Sequence, residues 1–145
     1  MLSDAFRALG IEAPVDPTVI ALGWATVELD RAGRELGAAY DITFTDTDGS
    51  IHLGCACRRS EALVDGVVII LLEPTTEGRL AATLARHGEG WAATWIADPS
   101  ASDRSPDAPR SAARTGPLGV ERLVLGGSTS GPHRLLVPGD TIRMP

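Results

Sequence analysis

The run "VVIILLEP", from Val67 to Pro74, constrains the fold more than any other stretch. Six aliphatic side chains follow one another with no polar residue between them. Because successive residues of a strand point to opposite faces, a strand built from this run must be covered on both sides. The run is far shorter than the roughly 20 residues needed to cross a bilayer. It closes on Glu73, whose carboxylate either reaches the surface or is costly to bury without a partner.

Around this strand the signals alternate. "LSDAFRALG" predicts a short helix capped by Ser3 and ended by Gly10, and "VIALGWATVEL", Val19 to Leu29, predicts a strand. Asp30 is placed to cap the helix "RAGRELGAA". "YDITFTDTDGSIHLGCACR" predicts a hairpin that turns at Asp48-Gly49. After Pro74, "TTEGRLAATLARHG" predicts a helix capped by Thr75 or Thr76, carrying Leu80 and Leu84 on one face and ending at Gly88. "GWAATWIAD" predicts a fifth strand. Residues 99–116, "PSASDRSPDAPRSAARTG", predict a flexible loop, and "ERLVLG" and "HRLLVP" predict strands joined through the hairpin loop "GGSTSG".

A chain of 145 residues suits a single domain. A formal charge of -6 with basic residues scattered along the chain excludes the clustered positive patch of a nucleic-acid surface, and no apolar run is long enough for a membrane span. The N-terminus lacks the pattern of a secretory signal, which leads to the expectation of a cytoplasmic protein. Cys55 and Cys57 fall two apart on one strand, so both point the same way, and they are expected as reduced, buried thiols. His52 should then face away from them, and His87 should complement the C-terminal end of its helix. "GGSTSG" lacks the lysine of a phosphate loop.

The aromatic residues are spent unevenly. Trp91 and Trp95 are two of three tryptophans, and an even spacing puts both on one strand face. That face is either core or the wall of a binding site.

The phrase "LLEPTTEGRLAATLARHGEGWAATWIAD" resembles the crossing between the two halves of proteins of the vicinal oxygen chelate superfamily, the glyoxalase and bleomycin-resistance fold. "LGWATVELDRA" resembles that family's opening strand. The resemblance covers about half the chain. It implies an α+β fold of paired β-α-β-β-β modules whose curved sheet forms an open cup around a ligand cavity, with the helix of the second module reduced to a loop. On that reading residues 1–18 are an extension, 19–74 the first module, 75–90 a connecting helix and turn, and 91–145 the second module.

Carried over residue by residue, the family's metal-binding histidines fall at Trp24 and near Ala93, its acidic ligand at Glu73, and its last ligand at His133 or Asp140. Indole and methyl groups cannot coordinate, so no metal and no cofactor are expected. The resemblance further implies that Trp24, Thr26, Glu28, Trp91, Ala93 and Trp95 line the cup with Glu73 and His133. The expected function is enclosure of a hydrophobic, aromatic or polyketide-like small molecule, as in sequestration or resistance, by a protein that forms a homodimer. The alternative is a metal-independent isomerase, epimerase or cyclase with Glu73 and His133 as acid and base.

Overall fold

The computed structural model describes residues 2–12, 15–98, 111–125 and 132–138. In chain order the elements are α1 (Ser3–Ala8), β1 (Val19–Ala25), α2 (Leu29–Tyr40), β2 (Phe44–Ser50), β3 (Cys55–Ser60), β4 (Val68–Pro74), α3 (Arg79–His87), β5 (Gly90–Ala97), β6 (Arg114–Gly116), β7 (Gly119–Leu123) and β8 (His133–Val137). None of these helices is long and apolar enough to cross a membrane.

The eight strands make one mixed sheet in the order β2-β3-β4-β1-β5-β8-β7-β6. The order is a duplication. In each half the first strand lies parallel to the last, β1 on β4 and β5 on β8, and β1 joins the halves by pairing antiparallel with β5. The fold is therefore α+β with two modules, and the cup is built within one chain. The sheet curves until its edges meet. The Ile51 N–H donates to the Thr115 carbonyl at 3.2 Å, and the Thr47 hydroxyl donates to the Pro117 carbonyl at 3.0 Å.

Burial follows from that curvature. The concave face gathers Ala21, Cys55, Cys57, Ile70, Leu72, Ala93, Trp95 and Leu135, among others, into one core. The convex face is covered by α1 and α2, which bring Leu2, Ala5, Ala32 and Leu36 onto Leu22, Ile69 and Leu71. The "VVIILL" run is the strand shared by both cores, which is why it does not alternate. Its side chains from Val67 to Leu72 are at most 2% exposed.

Several local expectations are displaced. The β2–β3 hairpin exists, but Asp48 and Gly49 lie inside β2 and the chain turns at residues 51–54. Gly49 is required there for a different reason, because a Cβ would collide with the Cys55 carbonyl. Glu28, not Asp30, occupies the N-cap of α2, and Gly78, not a threonine, that of α3. Leu2 precedes α1, and no side chain caps it. Gly88 does end α3, with φ 76°. Residues 114–116 of the expected loop form β6, whose edge is needed to close the sheet. Residues 99–110, which hold the place of the second module's helix, and "GGSTSG" lie outside the described residues. The strands flanking "GGSTSG" pair antiparallel, as a hairpin requires.

Candidate functional site inside the cup

The structure divides the three indoles between the two faces of the sheet. Trp95 is fully buried in the concave core, whereas Trp24 and Trp91 pack on the convex core with their ring centroids 5.1 Å apart in an edge-to-face pair. Trp24 faces outward by simple alternation with the inward Gly23, and for Trp91 the cause is a β-bulge. Gly23 pairs with Ala93 but Trp24 pairs with Trp91, so Ala92 is an extra residue that breaks the period of two. Trp91 also lines a hollow of about 300 Å³ with His87 and Glu89 at the end of α3. Gly23 faces inward in place of Trp24, directly beneath Trp95 and Leu72.

Glu73 also leaves the expected site. Leu72 points into the cup, so alternation turns Glu73 to the convex side, where its Oε1 accepts the Leu29 N–H at 3.0 Å. It thereby supplies the cap that α2 lacks from its own sequence, with a negative charge at the positive end of the helix. Thr26 is buried, but its hydroxyl donates to Glu89 at 2.9 Å and accepts the Glu28 N–H. Glu28 is exposed beside Arg31. These residues form the β1–α2 junction, not a cavity wall. Ala93 is inward, as expected, and is fully buried in the packed concave core.

His133 faces inward with Leu135 and Val137 and is 4% exposed. Its Nε2 lies 2.9 Å from the Thr83 hydroxyl, which itself donates to the Arg79 carbonyl. We therefore assign the proton to Nε2. Burial, reinforced by the Arg79 charge, pushes the imidazole down to about 4, so it is neutral at pH 7.

The group that the sequence did not single out is Glu121. It is 1% exposed on the concave side of β7. It accepts the Trp95 indole N–H at 2.9 Å through Oε1 and the Ser50 hydroxyl at 2.7 Å through Oε2. Desolvation outweighs those two bonds and pushes its carboxyl up to about 7. Gly116 makes room for it, since a Cβ there would collide with the carboxylate. A signal was present in outline: Glu121 and Leu123 share a strand face. The alternative face, Val120 and Arg122, is equally mixed, so alternation alone could not say which pair points inward.

Ser50 connects this interior acid to the rim. A pocket of about 580 Å³ opens there, lined by Ser50, Cys55, Thr75, Thr76, Thr115 and Asp48 among others. Cys55 and Cys57 are free thiols with their sulfurs 3.8 Å apart, both buried as expected. Cys55 and burial together raise the Cys57 thiol above its ordinary value. His52 is directed away from them and lies against Ala112 and Ser111.

A divalent ion of the family's kind does not fit the carried-over positions. Trp24 and Ala93 offer no donor, and Glu73 and His133 stand on opposite faces of the sheet. Asp140 lies outside the described residues.

No protein-family model and no curated protein sequence matches the chain. Solved structures do. A methylmalonyl-CoA epimerase variant of Streptomyces coelicolor, in complex with 2-nitronate-propionyl-CoA, is 24% identical, with a TM-score of 0.67 over 88% of this chain and 97% of that one. The methylmalonyl-CoA epimerase of Mycobacterium tuberculosis is 19% identical, with a TM-score of 0.67 over 83% of this chain and 87% of that one. Another methylmalonyl-CoA epimerase, bound to methylmalonyl-CoA and an ammonium ion, gives 23% and 0.67. The duplicated order of strands and the curved mixed sheet are thus those of the vicinal oxygen chelate fold, the fold that this chain shares with the methylmalonyl-CoA epimerases.

Proposed function

We propose that the protein binds an apolar small molecule at the rim of the cup, with the Ser50–Glu121–Trp95 chain as its polar recognition element. One observation carries this reading: the rim pocket opens on a serine whose hydroxyl is already committed to a buried carboxyl. A carboxyl near half-protonation at neutral pH lets the Ser50 hydroxyl, which stands between it and the pocket, either donate to or accept from a ligand oxygen. Indole and aliphatic groups behind it exclude water, which strengthens any such bond.

A second reading is an isomerase or epimerase that works without a metal. It is favoured by the same carboxyl, whose pKa lies where a general acid or base is most effective, and by the epimerase names of the structural neighbours. Glu121 would then move the proton, in the role the sequence had assigned to Glu73, while Ser50 orients the reacting group.

The test is a titration with a panel of aromatic and polyketide-like metabolites, read by tryptophan emission. Each binder is then incubated in deuterium oxide and examined by mass spectrometry. Binding that is weakened in Ser50→Ala, with the ligand recovered unlabelled, supports the binding reading. Deuterium incorporation that disappears in Glu121→Gln supports the isomerase. Emission changes that persist unaltered in both variants would contradict a role for this chain of groups.

A further inference from the structure

We propose that Cys55 and Cys57 form a two-thiolate site for a divalent thiophilic cation of the zinc group at the floor of the rim pocket. Both side chains project from β3 into the cup, and their sulfurs stand 3.8 Å apart. An ion about 2.3 Å from each sulfur, the usual zinc–thiolate distance, would span that pair at an angle of about 110°, close to tetrahedral. The spacing therefore asks for no movement of the backbone. Regular strand geometry, not a turn, holds the two thiols side by side.

Access and charge agree with the geometry. Cys55, though not Cys57, lines the rim pocket, so an ion from solvent would enter from the Cys55 side, where the two residues are at most 5% exposed. In binding, two S–H bonds break, two S–metal bonds form, and two protons leave to solvent. The product of two thiolates and one divalent ion is neutral. A monovalent ion would leave a net charge in an apolar interior, which is costly. Among the described residues no group of three or more His, Cys, Asp or Glu side chains is gathered to hold a metal. The remaining two positions of the ion would thus be filled by water or by a donor atom of a bound small molecule. This site is separate from the carried-over positions at Trp24, Ala93, Glu73 and His133.

The test is titration of the reduced full chain with Cd(II), followed by the ultraviolet charge-transfer absorption of cadmium thiolate and by an indicator in weak buffer. The expected result is saturation at one ion per chain with release of two protons, reversed by Zn(II) and unaffected by Mg(II). Cys55→Ser and Cys57→Ser should each weaken binding by roughly 100-fold or more, since losing a ligand outweighs losing the groups that orient one. A second measurement does not depend on the variants folding. One equivalent of Cd(II) should slow alkylation of both thiols in the unaltered protein. No charge-transfer band, alkylation at the same rate with and without Cd(II), or equal binding by the serine variants would each overturn the proposal.

Discussion

Gly23 shows how one missing side chain sets the interior. A Cβ on it would stand 2.8 Å from Leu72 Cδ1, 2.8 Å from Trp95 Cζ3 and 3.1 Å from the Ala93 methyl. The ring of Trp95 is held by its bond to Glu121 and cannot retreat without breaking it. Gly23→Ala is therefore expected to destabilise the fold by about 1–3 kcal/mol, the usual cost of overpacking. A urea melt checks this, and an unchanged midpoint would mean that the Trp95 ring is free to move. Two of the sequence expectations fail at this scale because of single residues. The extra residue Ala92 turns Trp91 out of the cup, and one step of alternation takes Glu73 to the helix side. Neither a bulge nor the choice of inward face leaves a mark in composition or spacing.

Elements were more legible than residues, because hydrophobic period and glycine stops are summed over many positions. β4 and β5 follow the sequence reading closely, whereas β1 ends at Ala25 with Leu29 already in α2, and α3 starts only at Arg79; the paired modules follow from the order of the elements. Caps were poorly legible, because the donors are satisfied from elsewhere in the fold. Glu89 is the clearest case. Its carboxylate accepts the Thr26 hydroxyl and the Val27 N–H at 2.9 Å each and pairs with Arg31 at 2.5 Å, which holds it down at about 2. One residue of the turn that connects the two modules thus clips the β1–α2 junction of the first. Glu89→Ala leaves the buried Thr26 hydroxyl without that acceptor and is expected to cost about 1–3 kcal/mol. Hydrogen exchange at Val27 should accelerate in parallel. Arg31→Ala alone, which removes an exposed contact, is expected to cost under about 1 kcal/mol.

At the scale of the whole molecule, two interior groups set the response to pH in opposite directions. The folded Glu121 titrates at about 7 against an ordinary 4.5, so its stabilising contribution is full below about 4.5 and is lost as pH rises through 7. The folded His133 titrates at about 4 against 6.5, so its contribution is present above 6.5 and is lost as pH falls through 4. Each is on the order of 3 kcal/mol at full extent. The two nearly cancel between pH 4.5 and 6.5, and thermal stability of the unaltered protein should be nearly flat there. Glu121→Gln should make stability rise with pH over that window, and His133→Gln should make it fall. Melts in a pH series check both signs. The central claim is narrower: Glu121 lies inside the cup, bonded to Trp95, with its carboxyl near 7. The double variant Trp24→Phe, Trp91→Phe leaves Trp95 as the sole indole, so its emission reports this one bond. Between pH 5 and 8.5 the emission should follow a single titration with a midpoint near 7 that vanishes on adding Glu121→Gln. A flat curve, or the same curve after that substitution, would contradict it.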